Sequence, residues 1–404
     1  MSIIRSERVA AVILLIAAAA GLIVANTALG SAVLGLQGTH LAIPGTPLDL
    51  SVGHWISDGL LAVFFFVVAV ELKDELTAGE LNSIPKAIRP AIAALGGVIV
   101  PTLIYLAFTA GSGYMEGWPI PTATDIAFAL GVLAVFGKGI PGRLRIFLLA
   151  LAILDDIIAI VIIAVFFTTA PNLLLLGAAV LTVVGFALLS RLLGTRARIP
   201  VAILMGVVAV ATWCLVYLSG VHATIAGVAL GLAMLRRPAL RVRHALEPVT
   251  YGVLLPLFAF SAALVAIPQV PISQLAAPFW GILVALPVGK LIGITLGGWL
   301  STFLGPKNAR PHLTFSGLLT AGALGGVGFT VSLLMNQLAF AQTPEVVAEG
   351  TLAVLLGSSI SIVLSGILVS RQAAYYRRLR TLRDAVKQQT QPGAGSRQSS
   401  PSVK

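Results

Sequence analysis

"FLLALAILDDIIAIVIIAVFF", residues 147–167, contains 19 apolar residues out of 21, and two adjacent aspartates, Asp155 and Asp156, stand near its middle. At about 1.5 Å per residue, a helix of this length crosses the roughly 30 Å hydrocarbon core of a bilayer. Each carboxylate placed there costs roughly 2.5–3.5 kcal/mol on insertion scales. A chain that keeps two of them side by side has a use for them.

Runs of similar length and character recur along almost the whole chain. Of its 404 residues, 58% are hydrophobic and only 10% are charged, against about 25% charged in soluble domains. No alternating ten-residue strands of a membrane barrel are visible. The fold class is therefore an all-α polytopic membrane protein. Twelve spans are expected, near 9–29, 56–72, 88–110, 121–137, 145–168, 172–190, 200–219, 221–235, 247–267, 278–303, 313–335 and 346–370. The seventh and eighth are separated only by "LSGVHA". The first run follows Arg5 and Arg8 and is long for a signal peptide, so it reads as a retained first helix. The single cysteine, Cys214, allows neither an internal disulfide nor a cysteine-based metal site.

The net charge of +11 raises the question of nucleic acid, and its placement answers it. Lys and Arg precede span one, occupy every second loop and fill the tail; the alternate loops contain none. This positive-inside pattern places both termini in the cytoplasm of a multi-pass protein of the inner or plasma membrane, in contact with lipid and with no nucleic-acid partner. Residues 1–372 are expected to form the transmembrane domain. Residues 373–404 are expected to form a basic, partly disordered tail, helical at its start and ending in "QQTQPGAGSRQSSPSVK".

Four ionisable residues fall deep inside expected spans: Asp125, Asp155, Asp156 and Lys290. Three acids and one base do not pair off to neutrality, which argues against a purely structural ion pair; intramembrane charges mark functional sites. Adjacent helical residues point about 100° apart, so one aspartate of the pair can face a cavity while the other meets Lys290. Asp125 lies in "WPIPTATDIAFALGVLAVFG", where Pro119 and Pro121 remove backbone donors and Thr122 and Thr124 offer hydroxyls, which suits a broken helix. An ordinary N-cap is the alternative for Asp125 alone. In span eleven, Gly322, Gly325, Gly326 and Gly328 stand beside Thr330 and Ser332. They fit either close packing or an unwound stretch. If unwound, spans four and eleven are the middle members of two three-helix sets that start from opposite sides, an inverted repeat with its site at the crossing.

"PTATDIAFALGVLA", "LAILDDIIAIVIIAVFF", "SGVHATIAGV", "LPLFAF", "GKLIGI" and "GGVGFTVS" together resemble the NhaA-type sodium/proton antiporter family, in collinear order from about residue 5 to 370. The crossed broken helices and inverted repeats are that family's architecture. The resemblance implies a secondary transporter that exchanges sodium, and also lithium, for protons. It implies electrogenic exchange serving pH and sodium homeostasis, with no cofactor and no enzymatic activity. It implies that Asp155 and Asp156 bind the ion and the protons. On the same resemblance Asp156 would be the principal sodium ligand, Asp155 the carboxylate coupled to Lys290, Thr124 an accessory ligand, and Asp125 and Lys290 the charges that balance the facing half-helix ends. The family forms homodimers through a β-hairpin after helix one, the place filled here by "GLQGTHLAIPGTPLDLSVGHW". Candidate pH-sensing groups are Glu71, Glu75, His222, His244 and Glu247. Two departures from the family fall among these groups and a third, Ile158, falls two residues after the aspartate pair. Asp74 in "ELKDE" replaces a base, "RHALEP" places Arg243 and Glu247 in altered positions, and Ile158 stands where the family has Gly. For His222 a packed, hydrogen-bonded role competes with pH tuning; His40, His54 and His312 read as loop or interfacial residues.

Sodium, a hard cation, takes oxygen ligands, and protons bind the same carboxylates, so mutually exclusive occupancy suffices for exchange. The rivals are a sodium-coupled symporter of the same architecture, which needs an organic-substrate pocket, and an intramembrane aspartyl protease, which needs two carboxylates converging from two helices. Lys290 and the lack of a Gly-x-Gly-Asp context stand against the protease. A passive channel would show no proton-coupled sodium flux.

Overall fold

The computed structural model describes residues 7–389 apart from 46–47, 169, 195–197, 269 and 305–312. His312, several of the loop cations (Arg5, Arg196, Lys307, Arg310) and the tail expected to be disordered beyond 389 lie outside the described residues. Each of the twelve expected spans has its helix. They are α1 (Glu7–Ala25), α2 (Val52–Thr77), α3 (Ile84–Thr109), α4 (Met115–Phe136), α5 (Gly142–Phe166), α6 (Leu173–Leu192) and α7 (Arg198–Leu218). Then come α8 (Thr224–Ala233), α9 (Arg236–Ala262), α10 (Ala277–Phe303), α11 (Phe315–Gly325 and Phe329–Ala339) and α12 (Pro344–Gln389). In a bilayer core no water satisfies a free N–H or C=O, so a chain this apolar folds as helices.

One expected span is shorter than read. Helix α8 has 10 residues, about 15 Å, half a bilayer core. Gly220, at φ +81°, turns the chain before it, and extended Met234 ends it. Its last carbonyls are closed by Lys73 Nζ, which donates to Leu232 O at 2.7 Å and Met234 O at 2.8 Å. After α1, a short helix, Gly30–Gly38, turns away by 108°. It leads into the antiparallel strands β1 (His40–Ala42) and β2 (Asp49–Ser51), in register Leu41 to Leu50. His40 pairs with Asp49 on this exposed hairpin at 3.0 Å. His54 lies just beyond it, 2.9 Å from Ser51 Oγ.

Both glycine-rich and proline-rich spans are interrupted. Helix α11 bends by 49° between Gly325 and Phe329. Helix α4 begins as 3₁₀ turns, Met115–Gly117 and Ile120–Thr122. It passes through extended Ala123–Asp125 and only then becomes the regular helix Ile126–Phe136. Helices α3 and α10 pack along each other beside this crossing. Their backbones approach so closely that a methyl on Gly96 would strike the Gly293 carbonyl, and one on Gly293 the Gly96 carbonyl. Such small-residue seams replace the hydrophobic drive that lipid does not supply. Helix α12 continues as one helix to Gln389, and Arg377 Nη1 donates to the Lys138 carbonyl in the loop after α4 at 2.9 Å.

Gly96→Val should separate α3 from α10 and destabilise the fold by about 1–3 kcal/mol, the usual cost of overpacking. Gly177→Ala in α6, where nothing lies within 4 Å of an added methyl, should leave the melting temperature in detergent unchanged or slightly raised. Equal melting of the two variants would show that the α3–α10 seam is not tight.

Candidate functional site

The two interruptions meet, and each supplies what the other lacks. Asp125 N–H donates to the Val327 carbonyl at 2.6 Å, Thr124 Oγ1 lies 2.9 Å from the Gly325 carbonyl, and Ser332 Oγ donates to the Ile120 carbonyl at 2.7 Å. The Asp125 carboxylate caps both half-helices. Oδ1 accepts from Phe128 N–H at 3.2 Å, at the start of the regular part of α4. Oδ2 accepts from Thr330 Oγ1 at 2.7 Å and Thr330 N–H at 3.3 Å, at the start of the second half of α11. The N-cap reading and the broken-helix reading of Asp125 are thus both met, by one side chain serving two helices.

Lys290 follows a π-helical turn, Ala285–Gly289, that contains Pro287, a local distortion found often at functional sites. It is fully buried, and Nζ donates to Asp155 Oδ2 at 2.6 Å and to Thr124 Oγ1 at 3.0 Å. The Thr124 hydroxyl in turn lies 2.6 Å from Asp155 Oδ2. With one proton, it donates either to that carboxylate or to the Gly325 carbonyl. Asp155 Oδ1 is buried and accepts no hydrogen bond from the described residues.

Asp156 is 5% exposed, yet none of the described residues donates a hydrogen bond to it. It opens on a cavity of about 20 Å³, room for roughly one water-sized occupant. Thr124, Asp125, Thr330, Glu71 and Tyr251 supply the other polar walls. A larger cavity of about 650 Å³, walled by residues such as Phe66, Met205, Trp213 and Leu230, is almost entirely apolar and lacks the oxygen ligands a hard cation needs. Among the described residues no group of three His, Cys, Asp or Glu is arranged as a dedicated metal centre.

The charges can be counted. Asp155 and Lys290 cancel. Two helix N-termini, each worth about +0.5 charge, face the single carboxylate of Asp125. Asp156 is left without a fixed counter-charge.

The candidate pH-sensing residues do not form one cluster, although Arg243 bridges Glu71 and Glu247. Glu71 joins the Asp156 cavity. Glu247 and His244 lie one behind the other near the start of α9, with His244 Nδ1 3.4 Å from Glu247 Oε2. Glu75 is occupied locally, its Oε2 accepting from Glu80 N–H at 2.7 Å. Asp74, which stands where the family has a base, is matched by Arg236 Nε at 2.7 Å. His222 is distant from all of these, in the loop between α7 and α8. Its Nδ1 lies 2.7 Å from Thr224 Oγ1 and its Nε2 3.5 Å from Asp58. Sequence reading missed Tyr251 as a cavity residue. Its signal was a polar pair, Thr250–Tyr251, within an otherwise apolar stretch before Pro256; the π-helical turn Thr250–Leu254 that carries it was not legible.

Two interrupted helices crossing beside buried carboxylates, one of them uncompensated, are the architecture of an ion-coupled secondary transporter. The chain belongs to the sodium/proton antiporter family described as Na+/H+ antiporter 1, which matches residues 1–369. It is 58% identical over 381 residues to Na(+)/H(+) antiporter NhaA 2 of Clavibacter michiganensis, covering 93% of each chain. It is 46% identical over 382 residues to the NhaA antiporter of Tropheryma whipplei, covering 91% of this chain and 95% of that one. The NhaA antiporter of Thermobifida fusca is 41% identical over 396 residues, with 94% and 95% covered. The protein is a transporter and not an enzyme.

Lys290→Met leaves Asp155 buried without its cation and should lower stability by roughly 3–5 kcal/mol. Adding Asp155→Asn should recover much of that loss, since the uncompensated charge goes with it. Melting in detergent decides; a double variant no more stable than the single one would mean the pair is not coupled.

Burial pushes the His222 imidazole down from its ordinary value of 6.5, against the opposing pull of Asp58 and with a small push from His54. A folded value below the unfolded one favours the neutral ring. Its contribution is fully present above about 6.5 and is lost as pH falls further. His222→Gln should flatten the fall in melting temperature between about pH 7 and pH 5. An unchanged slope would mean that another group carries it.

Proposed function

We propose that sodium and protons share Asp156 and its neighbour Asp155, and that their competition drives exchange. One observation carries this: Asp156 is a buried carboxylate that receives no hydrogen bond or counter-charge from the described residues, and it faces a cavity of about 20 Å³. Either a proton or a sodium ion neutralises it, and both cannot. Thr124 and the unwound backbone of α4 and α11 supply further oxygens. Asp155 holds Lys290 in the ion-free state, and releasing that pair offers a second carboxylate to the ion and a second proton-carrying group. Asp125 and Lys290 balance the converging half-helix ends. Exchange of two protons for one sodium ion moves net charge, so the membrane potential contributes to it. Lithium, also a hard cation, fits the same oxygens.

The alternating basic loops support an inner or plasma membrane protein with both termini in the cytoplasm, serving sodium and pH homeostasis. The β1–β2 hairpin supports a homodimer joined there. The rival readings have less behind them. A symporter's organic substrate does not fit about 20 Å³, and a protease needs two free carboxylates, whereas Asp155 is paired and Asp125 caps two helices.

Competition has a measurable form. Each competing proton weakens apparent sodium affinity by up to about tenfold per pH unit, and two coupled protons by up to about a hundredfold. Sodium KM in inverted membrane vesicles should therefore rise steeply as pH falls. Asp156→Asn should abolish sodium-dependent proton movement in a folded protein, while Asp155→Asn should be less complete because Lys290 then titrates in its place. A flat KM across the active range, or strong exchange by Asp156→Asn, would overturn the shared site.

A further inference from the structure

The Asp156 cavity ends, on the side of the basic loops, at a group of charges that the exchange chemistry above does not use. Glu71 of α2 lines the cavity. Arg243 of α9 approaches it, Nη2 to Oε1 at 3.7 Å, while Arg243 Nε is held by Glu247 Oε1, one turn on, at 3.0 Å. The Arg243, Glu71 and Glu247 side chains are 24%, 21% and 23% exposed, so the group is not sealed inside the protein. Tyr251 lines the same cavity from α9. The neighbouring charges are already engaged: Asp74 with Arg236, Lys73 with the carbonyls ending α8, and Glu75 with Glu80 N–H.

The two contacts of Arg243 are unequal. At 3.0 Å the bond to Glu247 is a hydrogen bond; at 3.7 Å the approach to Glu71 is an ion pair without one. The guanidinium is a permanent cation on a flexible stem. It can leave Glu71 without losing Glu247, so its withdrawal requires no backbone movement. A sodium ion coming from this side meets Glu71 before Asp156, and finds it already facing a positive charge.

We propose that Arg243 is a tethered cation that competes with sodium for Glu71, and so sets the sodium concentration at which this entrance to the Asp156 cavity is used. The inference rests on the reading of Asp156 as the sodium site. Glu247 is the anchor that keeps the plug in reach, and Glu71 is the receiving carboxylate. A partly exposed ion pair of this kind shifts an equilibrium by about two- to fivefold. This is the size of effect expected on apparent sodium affinity.

The test uses the full chain in inverted membrane vesicles, with sodium KM and maximal rate read from a pH-sensitive dye. Arg243→Gln should lower KM about two- to fivefold and change the maximal rate at saturating sodium less than KM. Glu71→Gln should raise KM, and in that background Arg243→Gln should have no further effect on it. Arg243→Lys keeps a charge for Glu247 with a shorter reach to Glu71. It should lower KM about half as far on a logarithmic scale, and it decides the matter if the glutamine variant does not fold. An unchanged or raised KM in the folded Arg243 variants, or an equal fall with Glu71 already replaced, overturns the plug. Exchange that survives Asp156→Asn overturns the underlying site instead, whatever Arg243 does.

Discussion

An interrupted helix inside a bilayer leaves N–H and C=O groups that lipid does not satisfy, and the rest of this structure follows from how those groups are closed. The breaks in α4 and α11 answer one another through Asp125 N–H on Val327 O, Thr124 beside Gly325 O and Ser332 on Ile120 O. Neither break is stable alone. Crossed, they place four helix ends within a few residues of each other, and the Asp125 carboxylate lies between the two positive ones. The crossing is therefore both a structural joint and an electrostatic one.

Fixed charge is then distributed so that one position remains open. Lys290 donates to Asp155 and Thr124, its charge matched by Asp155, and Asp125 caps two helix N-termini. Asp156, next to Asp155 in sequence but rotated about 100° around the helix, is left to face the cavity. A carboxylate without a partner in so dry a place is costly unless something mobile neutralises it. On the proposed reading, that unfilled demand is what either transported ion would meet.

The surrounding helices position this group by distortions and close contacts more than by bulk. A π-helical turn delivers Lys290 from α10 and another delivers Tyr251 from α9. The glycine seam between α3 and α10 lets the Lys290 helix approach closely enough for its ammonium to reach α5. At the basic-loop end, Arg243 shows how a departure from the family pattern is absorbed. The acid-rich surroundings of Glu71 and Glu247 accept a guanidinium, just as Asp74 is matched by Arg236.

The sequence by itself determined the helical membrane fold and placed a helix in each of the twelve expected runs, of which nine to eleven among the described residues are long and apolar enough to cross a membrane; it pointed to a break in α4 and left α11 open between close packing and unwinding. Apolar run length, proline and clustered glycine act locally, through backbone hydrogen bonding in lipid. It also singled out Asp125, Asp155, Asp156 and Lys290, because charge inside an apolar span is conspicuous. The residues alone left open which aspartate Lys290 meets, and the resemblance implied Asp155; the tertiary structure makes that contact and leaves Asp156 facing the cavity. That choice depends on helix rotation and on a π-helical turn, neither of which has a local signature strong enough to read. The shortness of α8, the place of Tyr251 in the cavity and the reach of Arg243 to Glu71 belong to the same class. They are set by side chains meeting across helices far apart in the chain, as Lys73 and Leu232, 159 residues apart, are not neighbours until α2 and α8 pack.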